Sequence, residues 1–288
     1  MKPKISLLDN QFSHTHPGSF GCGDLKTPPS LFDWDRTGKV INNLVVLTEN
    51  SFFTVDSIKC EIKVGLILEP AVISPDPYNW IKQPANYQKF TYILTHNKEL
   101  LLLDDRFKYF PYGGCWLTKV EQQIYPKTKN ISIIASWKNM TEGHKLRHEV
   151  VRRFGDRIDV FGNGYTKIES VLEALKDYKY TIVIENEKRE GWFTEKLITP
   201  LRTGCVPIYW GAPDIGDYGF HEMSILSFKS IDELGYILDG LGSFLEQNVT
   251  EYIREGGTAW QNFEAAAQYC IPEDWLWYNF FLPLNLIK

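Results

Sequence analysis

The stretch from Tyr180 to Pro213 concentrates groups that could hold an anion. It reads YTIVIENEKREGWFTEKLITPLRTGCVPIYWGAP: an apolar run, a charged loop, a helical segment opening at Thr194, a glycine, and a second apolar run closing in Gly-Ala-Pro. Strand, loop, helix and strand form one βαβ unit, and open α/β sheets bind ligands beyond the carboxyl ends of their strands. Glu185, Asn186, Glu187 and the start of the helix all fall at that end. Thr194 suits the N-cap, leaving backbone N–H groups and the helix dipole to favour an anion. Lys196 adds a full positive charge in the first turn, where a cation is unfavourable unless an anion neutralises it. A diphosphate fits this pattern; the plainer alternative pairs Lys196 with Glu195 or Glu187 at the surface.

Other candidates lie outside this block. Leu68-Glu69-Pro70 ends an apolar run and so puts a carboxylate at a strand end, while Arg147 sits in a helical segment after the run 131–135. Gly162-Asn163-Gly164 is a turn whose residues tolerate left-handed backbone. Asp33-Trp34-Asp35 has the spacing of a pair that holds a divalent ion, but it lies in a proline-rich opening segment rather than after a nucleotide-binding strand. His14-Thr15-His16 and the pair His144 and His148 lack a third ligand. No metal site is expected, since Arg and Lys can neutralise a diphosphate by themselves. The cysteines Cys22, Cys60, Cys115, Cys205 and Cys270 show neither paired nor zinc-type spacing and are read as reduced thiols.

The elements that must position these groups follow from hydrophobic pattern. Apolar runs at 44–48, 63–68, 91–95, 131–135, 158–161, 181–184, 206–210 and 225–228 predict short buried strands. Helical periodicity at 144–154, 167–177, 194–203 and 231–240 alternates with the later strands, which predicts a parallel α/β sheet in the second half. A second α/β sheet is expected in the first half. The polar stretch 119–130 reads as the interdomain linker, and the aromatic-rich segment from Trp260 onward must pack on something.

Composition removes several classes of function. With 288 residues, 43% hydrophobic and 23% charged, the chain has the make-up of a globular protein of two domains. A formal net charge of −5 argues against nucleic acid as a partner. No run approaches the roughly 18 apolar residues that span a bilayer, and Met1-Lys2-Pro3-Lys4 leads into no signal-peptide core. A cytoplasmic location is therefore expected, and the triplets at Asn130, Asn139 and Asn248-Val249-Thr250 read as chance matches to the glycosylation pattern.

Ile184-Glu185-Asn186-Glu187, Thr194-Glu195-Lys196 and Val206-Pro207-Ile208-Tyr209-Trp210-Gly211 together resemble the signature of the α-1,3/4-fucosyltransferases (glycosyltransferase family 10). The resemblance extends to Arg147 with Asp159-Val160-Phe161-Gly162, and to Leu68-Glu69-Pro70 followed by Phe110-Pro111-Tyr112-Gly113. It implies an inverting enzyme of GT-B-like architecture, with two Rossmann-like α/β domains facing across a cleft. Residues 1–122 would take the acceptor, 123–262 the donor, and 263–288 would form a C-terminal tail packing back across the domains. The implied reaction moves L-fucose from GDP-fucose to a hydroxyl of an oligosaccharide or glycan acceptor, with α-1,3 linkage and no divalent metal. By the same resemblance Glu69 is the general base, Arg147 and Lys196 grip the diphosphate, and Glu195 contacts the ribose or fucose. Asn186 would help shape the donor pocket, and Glu185 and Thr194 are counted with it among the donor-binding residues. Alternatives are another metal-independent nucleotide-sugar transferase, or a carbohydrate-binding relative without activity.

Overall fold

The computed structural model describes residues 2–10, 12, 16–241 and 253–287; His14 and the Asn248 triplet lie outside them. The chain divides into two compact units, Met1–Gly114 with Ile271–Lys288, and Cys115–Cys270.

In the first unit, β1 (Lys4–Leu8), β2 (Asp33–Asp35), β3 (Leu44–Thr48), β4 (Ile62–Leu66), β5 (Tyr92–Thr95) and β6 (Phe107–Tyr109) form a parallel sheet in the order β2-β1-β3-β4-β5-β6. Successive residues of a strand face opposite sides, and β3 shows the result. Leu44 and Val46 join one apolar cluster with Phe32, Trp34, Leu276 and Phe281, whereas Val45 and Leu47 join another with Phe52, Tyr78 and Ile93. A sheet covered on both faces reads as a continuous apolar run rather than as alternation. Helix α1 (Pro75–Ile81) and the single-turn helices α2 (Pro84–Tyr87) and α3 (Lys98–Leu101) link the strands on the second side.

In the second unit, β7 (Lys129–Ile134), β8 (Asp159–Phe161), β9 (Tyr178–Ile184), β10 (Val206–Trp210) and β11 (Leu226–Ser227) are also all parallel, in the order β11-β10-β9-β7-β8. Helix α4 (Glu142–Phe154) starts at a capping box between Thr141 and His144 and buries Val150 and Phe154, one turn apart, against the sheet. Helices α5 (Glu195–Leu201), α6 (Ile231–Gly240) and α7 (Thr258–Ala266) also belong to the unit. Two parallel-sheet α/β units are thus present; the apolar runs predict the parallel sheet of the second half and an α/β sheet in the first. Among the described residues, no helix is long and apolar enough to cross a membrane.

Several elements differ from expectation. Segment 167–177 forms only the 3-10 turn Val171–Ala174, because Ser170 and Glu173 cap it and Leu175 leaves helical geometry. Strands β1, β2 and β6 escape the sequence pattern, two of them being only three residues long. The first crossing between units falls between Gly114 and Cys115, ahead of the 122/123 boundary drawn from sequence. Gly114 adopts φ +101°, and a Cβ there would stand 2.6 Å from the carbonyl oxygen of Gly21, so the chain leaves the first unit through a close backbone approach. The polar residues that read as a linker are bonded into the second unit. Trp116 N–H donates to Thr199 Oγ1 at 3.2 Å, Tyr125 N–H to the Thr203 carbonyl at 3.3 Å, and Arg202 Nε to Gln122 Oε1 at 3.2 Å.

The tail also divides later than expected. Phe263 stays in the second unit beneath the Arg202 guanidinium, 3.9 Å from its ring centre, and Tyr269 packs there against Phe193 and Phe220. Only Ile271 onward belongs to the first unit, with α8 (Pro272–Leu276) at its start. Its anchor is Glu273, fully buried, whose carboxyl accepts from Ser19 Oγ, Phe20 N–H (2.9 Å) and Trp34 Nε1 (3.2 Å). Leu276, Phe280 and Phe281 add about 1.5–3 kcal/mol each by leaving water.

Candidate active site

Strand β9 ends at Ile184, and the chain turns there into the charged loop that leads to α5. Glu185 is 0% exposed. Its Oε1 accepts the backbone N–H of Thr194 at 2.9 Å, and its Oε2 accepts the Thr194 hydroxyl at 2.8 Å. Glu185 thus lies beneath the loop and takes Thr194's own N–H and hydroxyl, while Thr194 caps α5 by accepting from the Lys196 N–H. Helix α5 is moreover only seven residues long and contains Pro200. Burial raises the Glu185 pKa while the neighbouring Lys196 pulls it down.

Lys196 is what α5 does present. Its Nζ donates to Glu195 Oε1 at 3.0 Å and Thr194 Oγ1 at 3.1 Å, stands 3.8 Å from Glu185 Oε2, and keeps 29% of its side chain exposed. Burial opposes its charge, but Glu195 and Glu185 outweigh that and hold its pKa above the ordinary lysine value. It is a fixed cation. The surface pairing of Lys196 with Glu195 is therefore real, and it coexists with a partly open ammonium.

The N-terminus of α4 meets the same loop. Gly143 N–H donates to the Asn186 carbonyl at 3.2 Å. Arg147, one turn further, donates from Nε and Nη2 to the Ile184 carbonyl at 3.1 and 2.7 Å, and from Nη2 to Asn186 Oδ1 at 2.9 Å. Arg147 is thus not a solvated arginine like its exposed neighbour Arg152; it is buried and aimed at the end of β9. Asn186 is held between helix and strand by both its backbone and its side chain. The structure so brings together Arg147, Glu185, Asn186, Thr194, Glu195 and Lys196.

His144 reports the local potential. Its ring is buried within the capping box, Nδ1 lying 2.8 Å from Thr141 Oγ1. Burial lowers its pKa first, and then the charges of Arg147, Lys138, Lys196 and His148 push in the same direction, to about 4. Burial keeps this histidine neutral first, and the surrounding cations add to it.

One group here has no counterpart in the motif reading. The indole of Trp137, 70% exposed, lies over the Gly162-Asn163-Gly164 turn so closely that a Cβ on Gly164 would stand 2.2 Å from its Nε1. The ring stacks on Tyr165 at 6.3 Å and 17°. Tyr165 hydroxyl and His148 Nδ1 are 3.3 Å apart, and His148 Nε2 is 3.0 Å from the Lys138 carbonyl. The turn therefore serves as a bed for an exposed aromatic face. A large exposed aromatic just after a β-strand, followed by Gly-x-Gly after the next strand, was the available signal.

In the first unit, Glu69 occupies a turn just past β4 and is half-buried. Its N–H donates to Glu49 Oε1 at 2.6 Å, and its carbonyl accepts from the Tyr78 hydroxyl at 3.1 Å, itself 3.1 Å from His96 Nε2. Its backbone is pinned from two sides, which fixes where its side chain starts, as positioning a base requires. Glu49 was missed from sequence, although the strand-end rule applied to β3 would have found it. Asp33 and Asp35 flank buried Trp34 on the edge strand β2; Asp35 accepts both the N–H and the hydroxyl of Thr37.

Comparison with known proteins adds a family to this geometry. Residues 124–268 match the family model described as glycosyltransferase family 10 (fucosyltransferase), C-terminal part. The chain is 34% identical over 73 residues to the alpha-(1,3)-fucosyltransferase FucT of Helicobacter pylori, covering 24% of this chain and 15% of that protein. It is 44% identical over 72 residues to an alpha-(1,4)-fucosyltransferase of Arabidopsis thaliana, covering 24% of this chain and 18% of that protein. The matched segments therefore span under a fifth of these relatives. A crystal structure of an alpha1,3-fucosyltransferase with GDP is similar in fold at TM-score 0.54 and 15% identity, covering 94% of this chain and 91% of that one.

Proposed function

The chain belongs to glycosyltransferase family 10, the fucosyltransferases, and from that premise we propose that it moves L-fucose from GDP-fucose to a hydroxyl of a glycan acceptor. The reaction is an inverting single displacement with α-1,3 linkage and no divalent ion. The observation that carries this reading is the pair of cations at the end of β9, Arg147 held on the Ile184 carbonyl and Asn186, and Lys196 fixed by Glu195 with its ammonium partly open. Structures of a similar fold are described as holding GDP and GDP-fucose, which agrees with a nucleotide diphosphate there.

In the proposed step the Glu69 carboxylate accepts the proton of the acceptor hydroxyl. The acceptor oxygen bonds to C1 of fucose as the bond from C1 to the β-phosphate oxygen breaks, and the electron pair leaves with GDP. Arg147 and Lys196 stabilise the charge that grows on the departing diphosphate, the work that a metal ion does in other transferases. Glu195 accepts hydrogen bonds from donor hydroxyls, and Asn186 shapes the pocket. Glu185 and Thr194 hold the loop that carries them.

The test is calorimetric titration with GDP, UDP and GDP-fucose in EDTA, followed by transfer to a panel of glycans. Selective binding of GDP without metal, and a fucosylated product, support the reading. Preference for UDP, or a requirement for a divalent ion, replaces it with another nucleotide-sugar transferase.

A further inference from the structure

Glu49 directly follows β3 and shares the carboxyl edge of the first sheet with the turn that carries Glu69; β3 and β4 are neighbours, with Thr48 opposite Leu66. Its side chain is 0% exposed. A single oxygen, Oε1, accepts two backbone donors, the N–H of Leu68 at 2.5 Å and that of Glu69 at 2.6 Å. The other oxygen, Oε2, is buried and has no hydrogen-bond partner among the described residues.

We propose that Glu49 is a positioning residue for the base: its carboxyl, buried as the neutral acid, clamps the Leu68–Glu69 turn and leaves Glu69 the single charge of the pair. The inference rests on the assignment of Glu69 as base.

Two physical arguments support it. A carboxylate buried without a cation is costly, so the group holds its proton instead. Burial is the largest influence on Glu49 and pushes its pKa to about 8; the amides of Glu69, Leu68 and Glu49 itself pull the other way, and the charged group acting on it, Glu69, raises it further. An ionised Glu49 would also act back on Glu69, since of two adjacent carboxylates one is driven to bind a proton. A base must be ionised to accept the acceptor's proton. The neutral acid supplies the clamp without that repulsion.

The experiment uses the full chain and reads GDP released from GDP-fucose, with water or a productive glycan as acceptor. In E49L the clamp is lost, and kcat falls at least 30-fold while the Kd for GDP stays within twofold. E49Q, neutral and with the same oxygen acceptor, restores kcat to within threefold of the parent and leaves the pH profile of kcat/KM in place. The cycle with E69Q separates positioning from general support: where Glu69 no longer acts as base, E49L lowers turnover by less than threefold more. If E49L does not fold, E49D, one methylene shorter, carries the same cycle. Parental turnover in E49L, or a fully additive loss in the E69Q background, overturns the proposal. Parental turnover in E69Q alone removes the base assignment, a result legible whatever Glu49 does.

Discussion

A Cβ on Gly143 would stand 1.7 Å from the carbonyl oxygen of Glu185, and 3.0 Å from Cα of Asn186. The first turn of α4 is seated on the end of β9 with no room for any side chain, and that seating is what lets Arg147 reach the Ile184 carbonyl. Gly143→Ala must push helix and strand apart, because both neighbouring atoms are backbone. Overpacking of this kind costs ~1–3 kcal/mol or more. Thermal melting of G143A is expected to show that loss, with weaker GDP binding in the folded protein.

Lys196→Ala leaves the fold in place, since the ammonium is partly exposed and its partners keep other bonds. Removing a cation that faces developing charge costs about 3–4 kcal/mol of transition-state stabilisation, or 10²–10³-fold in kcat. Arg147→Ala is expected to lower stability as well, because the Ile184 carbonyl and Asn186 side chain lose their donor. Parallel kinetics and melting curves distinguish the two, and normal turnover in K196A removes the phosphate-clamp assignment.

His144 carries a pH signature with two signs. Its folded pKa of about 4 lies below the ordinary histidine value, so between about 6.5 and 4 the unfolded chain binds a proton that the folded chain does not. Stability therefore falls as pH drops through that window. An anion bound nearby raises the same pKa, so GDP-fucose binding should take up protons and tighten between pH 7 and 5. Calorimetry in buffers of different ionisation enthalpy measures the uptake, and H144Q should abolish it.

Glu49 runs the opposite way. Its folded pKa, pushed up to about 8, exceeds the ordinary carboxyl value, so between about 4.5 and 8 the folded chain holds a proton that the unfolded chain has released. Each pH unit upward through that window costs the parent roughly 1.4 kcal/mol from this group. The stability of E49Q relative to the parent should accordingly climb across it, as read by urea denaturation at a series of pH values.

If the proposed donor binds at the end of β9, Trp137, exposed and stacked on Tyr165, is the expected stacking surface for its nucleobase. Stacking of a base on an aromatic ring is worth ~1–3 kcal/mol, so Trp137→Ala should weaken GDP binding by that amount and leave the affinity for inorganic pyrophosphate unchanged. Equal losses for both ligands would show that the ring supports the loop rather than the base.

The sequence by itself determined the alternation of apolar runs with helical segments in the second half, and hence its parallel sheet, and an α/β sheet in the first, because burial on both faces of a strand is written locally as a continuous apolar run. It also ordered the motifs Glu-Asn, Thr-Glu-Lys and Val-Pro-Ile-Tyr-Trp-Gly, which sufficed to point to the family. Tertiary structure alone decided which groups remain available. Glu185 took the N–H and hydroxyl of Thr194, and Arg147 turned inward where Arg152 did not. Glu49 reached across to a turn 19 residues further along. The polar stretch 119–130 became part of the second unit through partners near 199–203. Hydrophobic period is a property of neighbouring residues, whereas the partner of a buried donor or charge is chosen in space, among groups that only the finished fold brings within 3 Å of one another.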